Sequence, residues 1–257
     1  MKIVGIIPAR FGSTRFPGKP LALLQNKPLL QWVAEIVQSC TEIDDFYVAT
    51  DHDEIAKLCK KINVKYIMTS TNALTGTDRI YEACQYLEKN NIQFDAVINI
   101  QGDEPLLPTE YLSLLAAAFK KNPNIEMVTM AHPLVADDIE NKNSVKVLID
   151  QNSDAIYFSR FAIPFSRQPF VASKNLNRSV QKHIGLYGYG IHFLKRFCNQ
   201  SQSFIEVSES LEQLRALDLG IKIKIISVEK PTYGVDTPED LIKIEKILMS
   251  QQNEGNK

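Results

Sequence analysis

Short apolar runs alternate with amphipathic stretches through the first half of the sequence. The runs at 3–7, 46–49 and 96–100 have the length and character of buried strands, and the stretches between them show helical periodicity. This β-α-β-α order predicts an α/β fold with a largely parallel sheet, helices on both faces, and ligand sites beyond the carboxyl ends of the strands. The other elements predicted in this half are a strand at 64–68 and helices at 29–39, 53–61, 78–87 and 109–121.

The second half shows shorter strand patterns, and they predict a small lobe inserted at roughly 127–190 into a single domain that spans 1–257. These strands are expected at 127–132, 145–149, 155–159 and 182–190.

Two features are expected near the end of the chain. Residues 208–220 predict one capped helix with a leucine stripe and Gly220 as its stop. Residues 250–257 are polar and are expected to fray into solvent.

Composition restricts the class of protein. The sequence has 257 residues, 44% of them hydrophobic, and a formal net charge of −1, which describes a globular chain large enough to bury a core. The near-neutral charge argues against a nucleic-acid binder, which relies on clustered Lys and Arg in excess. No stretch approaches the roughly 20 apolar residues of a membrane helix, and no signal peptide is recognisable. The four cysteines form no Cys-x-x-Cys pair, so we expect reduced thiols in a cytoplasmic protein.

The loop at 8–20, Pro-Ala-Arg-Phe-Gly-Ser-Thr-Arg-Phe-Pro-Gly-Lys-Pro, has the composition of a polyphosphate site. Arg10, Arg15 and Lys19 offer charged donors to phosphate oxygens, and two glycines let backbone N–H groups approach the same oxygens. The spacing matches neither of the two common phosphate motifs, which weakens a kinase or dehydrogenase interpretation. The alternative is a surface turn with solvated cations.

Two aspartates lie where ligands of a metal ion are expected. Asp103 follows the strand pattern at 96–100, so its carboxylate is predicted at a strand tip, where it can bind Mg²⁺ that bridges to substrate phosphates. A simple Gly-Asp turn is the alternative. Asp236 directly precedes a helix cap formed by Thr237 and Pro238. The cap does not need the carboxylate of Asp236, which could therefore be a second metal ligand.

Side chains in the second half could meet an anionic substrate. A planar guanidinium matches the two oxygens of a carboxylate, so Arg160 or Arg167 could bind an acid, although either could equally be a solvated or ion-paired residue. The alternation of the strand at 182–190 places His183 and Tyr187 on one face. A partly buried histidine satisfied by a backbone group is the competing interpretation of His183.

These segments resemble the 3-deoxy-manno-octulosonate cytidylyltransferases, also called CMP-Kdo synthetases. The resemblance spans nearly the whole chain, and its most specific parts are the Leu-Glu-Gln-Leu-Arg helix and the Val-Asp-Thr-Pro-Glu-Asp ending. It implies a Rossmann-like nucleotide-diphospho-sugar transferase fold with a mixed, mostly parallel central sheet and an inserted lobe that forms a homodimer contact. The segments that carry it are 7–21, 99–105, 157–160, 183–185, 211–215 and 235–240.

The resemblance implies transfer of CMP from CTP to the anomeric hydroxyl of 3-deoxy-D-manno-octulosonate (Kdo), an eight-carbon acidic sugar. Pyrophosphate would be released, Mg²⁺ would be required, and CMP-Kdo would serve the inner core of lipopolysaccharide. The implied catalytic residues are Arg10, Arg15, Lys19, Asp103 and Asp236, with the two aspartates as metal ligands. The further nucleotide contacts implied are Ala9, Thr69, Ser70, Gly76, Thr77 and Arg79, and the implied sugar contacts are Gln101, Arg160, Arg167, His183, Tyr187, Glu212 and Gln213.

Three other interpretations stay open. A related branch of the family prefers the 8-amino analogue of the sugar and shares a run like Ile163-Pro164-Phe165. A glycosyltransferase with the same sheet would use a nucleotide sugar and an Asp-x-Asp metal motif, which Asp103-Glu104-Pro105 does not supply. A non-catalytic nucleotide-binding regulator would have no reason to keep both Asp103 and Asp236.

The sequence departs from the family pattern at two positions. Gly190 and Asp218 stand where many relatives carry arginine and tryptophan, which could alter sugar choice or dimer packing.

Overall fold

The chain divides into two units, one of which is formed by two stretches that are separated in sequence. The computed structural model describes residues 1–12, 15–73, 75–165 and 179–255. The first unit comprises 2–113 and 232–257, and the second comprises 114–231 together with Met1. The predicted lobe at 127–190 falls within the second unit, and its origin as an insertion stays a prediction.

The first unit is built on parallel strands. β1 (Ile3–Ala9) pairs on one side with β6 (Ala96–Asn99) and on the other with β4 (Asp45–Thr50), which in turn pairs with β5 (Tyr66–Met68). Every residue of β6 is buried, as expected for a parallel strand covered on both faces. The register sets Ala9 beside Thr50 and Thr50 beside Met68, so the loops after these strands begin at the same edge of the sheet.

The helices of the first unit begin at clear capping signals. The side chain of His52 accepts a hydrogen bond at the start of α2, and Thr75 forms a capping box with Asp78 at the start of α3. The helices are α1 (Leu29–Gln38), α2 (Asp53–Lys61), α3 (Gly76–Lys89), α4 (Thr109–Lys121), in which the chain passes into the second unit, and α9 (Pro238–Gly255). Two short strands, β2 (Leu23–Leu24) and β3 (Lys27–Pro28), form a separate hairpin.

The second unit contains mixed pairing. β7 (Met127–Pro133) pairs in parallel with β11 (Ile223–Ser227) and antiparallel with β10 (Val180–Gly190). β10 also pairs antiparallel with β8 (Lys146–Ile149), which pairs antiparallel with β9 (Ala155–Ser159). The helices are α5 (Ala136–Ile139), α6 (Ile191–Cys198), α7 (Phe204–Glu209) and α8 (Gln213–Asp218). The α/β class with a mostly parallel central sheet is thus confirmed.

The single helix predicted at 208–220 is wrong, because the chain breaks there into α7 and α8. Ser203, and not Ser208, caps α7 in a capping box with Glu206. Ser210 then adopts a left-handed conformation with φ of 53°, which ends the helix. Gly220 does stop the second helix, with φ of +74°. Glu212 consequently lies at the start of α8 instead of inside a longer helix.

Candidate active site

The loop after β1 folds back on itself and presents its cations in two ways. The N–H of Gly18 donates to the carbonyl of Phe11 at 3.0 Å, and Gly18 has a φ of +68°, which favours glycine. The ring of Phe11 stacks on His52 at 3.9 Å between centroids. Arg10 and Arg15 are exposed, whereas the side chain of Lys19 is only 16% exposed. The loop therefore exposes the guanidinium groups of Arg10 and Arg15 and keeps the ammonium of Lys19 largely buried.

Lys19 joins the two aspartates. Its ammonium donates to Oδ2 of Asp103 and lies 3.4 Å from Oδ1 of Asp236. The guanidinium of Arg15 lies 3.3 Å from Oδ2 of Asp236. Residues that are separated by 133 positions in sequence, 103 and 236, thus share one cation in the first unit.

The backbone explains how the Asp236 segment reaches the tip of β6. The N–H of Val235 donates to the carbonyl oxygen of Asp103 at 2.9 Å. The side chain of Val235 is fully buried in an apolar cluster with Leu24, Leu29 and residues of α9. Asp236 is the next residue and is exposed, so the buried valine fixes its position while its carboxylate stays accessible.

Glu104 is a buried acid beside this pair that no sequence pattern singled out. Its Oε1 accepts a hydrogen bond from the hydroxyl of Thr232 at 3.3 Å, and within the described ranges its Oε2 has no partner. Burial, with a smaller effect from the charge of Asp103, raises the pKa of Glu104 to about 8. The only sequence signal was an acid directly after the predicted metal ligand.

The donor set around Lys19 fits a hard divalent cation. Two carboxylates whose oxygens reach the same ammonium can also reach one metal ion, and Mg²⁺ is usually held by one or two carboxylates plus phosphate oxygens. The described residues contain no cluster of three or more His, Cys, Asp or Glu side chains suited to a metal. Substrate oxygens would have to complete such a site, as they do for Mg²⁺ in many phosphoryl-transfer enzymes.

Arg79 connects the loops that follow β4 and β5. Its side chain is 3% exposed, pairs with Asp51 at 2.7 Å and donates to the hydroxyl of Thr69 at 2.5 Å. Asp51 also accepts from the N–H of Phe11 at 3.4 Å, which ties this network to the cation-bearing loop. Arg79 is therefore buried and holds Thr69, another predicted nucleotide contact, in place. Asp51 also belongs to this network, although the sequence did not indicate it.

The remaining predicted nucleotide residues lie at the same edge of the first unit's strands. Ala9 is the last residue of β1, and Ser70 follows β5 and accepts from Arg79 through its carbonyl oxygen at 3.4 Å. Gly76 and Thr77 form the first turn of α3, where a side chain on Gly76 would come within 3.8 Å of Pro8. Gln101 follows β6, so it belongs to the first unit although it was predicted with the sugar residues.

The second unit brings His183 and Tyr187 together on one face of β10. Their rings are 5.3 Å apart between centroids, which confirms the shared face. Nε2 of His183 lies 3.0 Å from the hydroxyl of Thr129, which also has the carbonyls of Ile184 and Leu186 within hydrogen-bonding distance.

These contacts favour one tautomer of the ring. A hydroxyl has one hydrogen, so Thr129 can donate to a carbonyl and accept from an Nε2–H of His183, which leaves the lone pair on Nδ1. Burial lowers the pKa of His183 to about 3, so its ring is neutral near pH 7.

Glu212 and Gln213 supply polar groups at the start of α8. Burial, with the charge of Glu212, raises the pKa of Tyr187 above its usual value, which shows that the two side chains interact. Gln213 is 3% exposed, and its amide nitrogen has no hydrogen-bond partner in the part of the chain that the structure describes. A buried donor of this kind is costly unless a ligand or water oxygen meets it.

Arg160 is engaged with backbone carbonyls. Its guanidinium donates to the carbonyls of Glu209, Lys142 and Ser210 at 2.9, 3.2 and 3.3 Å. The carboxylate of Glu209 in turn accepts from the backbone N–H of Arg160 and from the hydroxyl of Ser159. These contacts hold the end of β9 against the chain that leads to Glu212. Arg167 lies outside the described residues.

Two general features complete the description. None of the helices in the described ranges is both apolar and long enough to cross a bilayer. The four cysteines are thiols, and three of them are buried.

Comparison with known proteins identifies the family. Residues 4–224 match the family model described as cytidylyltransferase. A 3-deoxy-manno-octulosonate cytidylyltransferase of Bdellovibrio bacteriovorus is 47% identical over 98% of this chain and 99% of its own length. One of the same name from Thermodesulfovibrio yellowstonii is 48% identical over 96% of this chain and 98% of its own length.

A solved structure of CMP:2-keto-3-deoxy-manno-octonic acid synthetase complexed with CTP is similar throughout. It has a TM-score of 0.88 and 34% identity, over 98% of this chain and all of that one. A 4-diphosphocytidyl-2C-methyl-D-erythritol synthase from Anaerococcus prevotii has a TM-score of 0.64 and 16% identity, over 96% of each chain, and shows the shared fold alone. From its sequence and its structure, the chain belongs to the cytidylyltransferase family and, within it, to the 3-deoxy-manno-octulosonate cytidylyltransferases.

Proposed function

We propose that this protein transfers CMP from CTP to the anomeric hydroxyl of Kdo and releases pyrophosphate. The observation that carries the proposal is the full-length similarity to enzymes of that name, joined to a loop whose inner lysine meets two carboxylates. An arrangement of cations and acids at the ends of parallel strands suits an anionic nucleotide and its metal.

The cations of the loop would bind the triphosphate. Arg10 and Arg15 are exposed and have long side chains, so they can reach the β- and γ-phosphates without a rearrangement of the backbone. Lys19 would turn from the carboxylates to the phosphates when the nucleotide binds. The three positive charges would then stabilise the negative charge that grows on the departing pyrophosphate, which is electrostatic catalysis.

Asp103 and Asp236 would hold Mg²⁺. When bound, Mg²⁺ polarises the α-phosphate and lowers the pKa of the attacking hydroxyl, and a second ion can accompany the β- and γ-phosphates. The protein's part is to present two oxygen donors at a fixed spacing, and the contact of both with Lys19 supports that spacing. The sugar hydroxyl is the nucleophile, so no side chain needs to form a covalent intermediate.

The polar residues of the second unit would bind the sugar. His183 is neutral, with a lone pair on Nδ1 that can accept from a sugar hydroxyl, and the buried amide of Gln213 can donate to one. Tyr187 and Glu212 offer further hydroxyl partners, as would Gln101. Arg160 retains N–H groups beyond the three it donates to carbonyls, since a guanidinium carries five, and these could meet the sugar carboxylate. Arg167 is proposed as its companion.

The family suggests the wider setting. We propose a cytoplasmic homodimer whose product enters the lipopolysaccharide inner core. The buried thiols and the lack of a disulfide among the four cysteines support a reducing compartment.

Pyrophosphate release tests the reaction. We expect release from CTP and Mg²⁺ with Kdo and little with UTP or without sugar. A preference for the 8-amino analogue would assign the protein to the amino-sugar branch of the family. A glycosyltransferase would release no pyrophosphate, and silence with both sugars would contradict the proposal.

A further inference from the structure

Two further hydrogen bonds lie beside Asp103 and Asp236, and neither of them involves the carboxylates of these two residues. The carbonyl of Asp103 accepts from the N–H of Val235, and the carboxyl of Glu104 accepts from the hydroxyl of Thr232. Both contacts join the strand-tip segment at 101–105 to the segment at 232–236. One bond lies immediately before Asp236 in the chain, and the other lies four residues before it.

Two contacts of this kind hold a segment better than one. The hydrogen bond of Val235 to Asp103 and the packing of its side chain hold the segment next to Asp236, but the turn at 232–234 could still move about that point. The bond between Glu104 and Thr232 adds a second point of attachment, three residues away, and removes that freedom. The segment itself has no helix or strand before α9 begins at Pro238, so its path is fixed by individual hydrogen bonds and by the packing of Val235.

Glu104 is placed to act from below this segment. Glu104 is 8% exposed, and its Cγ would lie 3.9 Å from a Cβ atom added to Gly234. The carboxyl therefore sits directly beneath the turn that leads to Asp236. A buried carboxyl with one oxygen that lacks a partner in the described ranges lowers the stability of the fold. A valine or leucine would fill the same space without this loss of stability.

We propose that Glu104 is a positioning residue, which, through Thr232, sets the distance between the carboxylates of Asp103 and Asp236 and so their affinity for a divalent cation. The inference rests on the proposed role of those two aspartates as metal ligands. It assigns Glu104 no contact with substrate or metal. Groups that orient metal ligands from behind typically change metal affinity by roughly 10- to 100-fold when they are removed.

Matched pairs of variants test this role. Thr232→Val removes the hydroxyl but keeps the shape of the side chain, and Thr232→Ser keeps the hydroxyl. Glu104→Ala removes the acceptor, and Glu104→Gln keeps an acceptor oxygen at the same length. Binding of Mn²⁺ to the full-length protein saturated with CTP, in the absence of Kdo, is followed by the loss of the free-ion signal in electron paramagnetic resonance relative to the same concentration of CTP alone. The Mg²⁺ concentration for half-maximal rate is measured alongside KM for CTP at saturating metal.

We expect Thr232→Val and Glu104→Ala to weaken Mn²⁺ binding and raise the Mg²⁺ requirement by about 10-fold, with KM for CTP at saturating metal little changed. Thr232→Ser and Glu104→Gln should stay close to wild type. Unchanged Mn²⁺ binding in Thr232→Val overturns the inference, and so does a loss in Glu104→Gln as large as that in Glu104→Ala. Because Thr232 is partly exposed, its variants test the idea even if Glu104→Ala does not fold.

Asp103→Asn and Asp236→Asn separate this inference from the function beneath it. If these variants bind Mn²⁺ as wild type does, the proposed metal ligands are wrong. If they lose Mn²⁺ while Thr232→Val keeps it, the ligands stand and the positioning role of Glu104 fails.

Discussion

At the scale of single residues, the candidate site holds opposite charges in contact. Lys19 is largely buried and meets both Asp103 and Asp236, whose carboxylates would otherwise repel each other. Its ammonium occupies the position between two oxygen donors that a metal ion would also favour. Lys19 and the proposed metal ion would therefore stabilise the same pair of acids, and each should matter more when the other is absent.

Replacement of Lys19 should make the stability of the fold depend on metal. We expect Lys19→Gln to lower the free energy of unfolding by about 1 kcal/mol without metal, because the two carboxylates lose their shared cation. Added Mg²⁺ should raise the melting temperature of this variant more than that of wild type. Lys57→Gln, which breaks a surface pair with Glu54 on α2, is the control and should show no added response to Mg²⁺. An equal Mg²⁺ response in wild type and Lys19→Gln would contradict the shared position.

The half-buried ring of His183, which is largely desolvated, should couple stability to acid. Its pKa in the fold, about 3, is lower than in an unfolded chain, so below about pH 6.5 the unfolded state binds a proton that the native state refuses. The stabilisation is present above that pH and is lost as the pH falls toward 3. For this residue the slope is about 1.4 kcal/mol per pH unit at most.

Urea denaturation at neutral pH and near pH 5 measures this coupling. We expect His183→Asn to lose less stability between the two conditions than wild type does, by up to about 2 kcal/mol. His132 also has a lowered pKa, mainly through burial, so the variant should keep part of the acid sensitivity. His192→Asn alters an exposed histidine of α6 and should behave as wild type. The same loss in His183→Asn and wild type would show that this ring is not responsible.

At the scale of elements, β10 carries His183 and Tyr187 on one face and is tightly packed on another. A side chain at Gly188 would come within 2.5 Å of the ring of Phe119 and 2.9 Å of Val128, both fully buried. At Gly185 on the same strand, no described atom lies within 4 Å of such a side chain. The strand therefore tolerates added volume on one face and excludes it on the other.

A matched pair of alanine substitutions tests this difference. We expect Gly188→Ala to lower the free energy of unfolding by about 1–3 kcal/mol through overpacking, and Gly185→Ala to change it little. The measurement is urea unfolding of both variants under the same conditions. Similar losses in the two would mean that the packing behind β10 adapts more freely than the distances imply.

The elements also show what sequence patterns can and cannot predict. Capping residues and periodicity predicted α2 and α4 at their observed bounds and the Gly220 stop. The break between α7 and α8 was missed because a continuous leucine stripe hides a turn at Ser210, whose left-handed backbone no motif announces. β11 (Ile223–Ser227) was not predicted although its signal is present, since Ile221, Ile223 and Ile225 alternate with Lys222 and Lys224 as in a half-buried strand.

Two charged residues beside the candidate site were not singled out from the sequence, for a similar physical reason. Asp103, Asp236 and Lys19 carry strong local signals, because a charge at a strand tip or before a cap has an obvious use. Glu104 and Asp51 act through contacts with residues distant in sequence, Thr232 and Arg79. Such pairings become visible only when the chain is folded.

At the scale of the whole molecule, similarity of fold and similarity of function separate. The 4-diphosphocytidyl-2C-methyl-D-erythritol synthase shares the fold at a TM-score of 0.64 with only 16% identity, and a shared fold does not by itself assign a function. The relatives at 47–48% identity cover nearly all of this chain, which carries the assignment to a Kdo cytidylyltransferase family. The claim that needs a direct test is therefore that the α-phosphate of CTP is transferred to Kdo.

The most direct measurement is a quenched reaction with CTP radiolabelled at the α-phosphate, Mg²⁺ and Kdo. We predict that the label moves to a new product only when Kdo is present, in proportion to released pyrophosphate, and that none stays on the denatured protein. Asp103→Asn should form this product at least about 100-fold more slowly, since it would lose a ligand of the proposed metal ion, whose charge would stabilise the transition state. Label bound to the protein, or no product that depends on the sugar, would contradict direct transfer of CMP to Kdo.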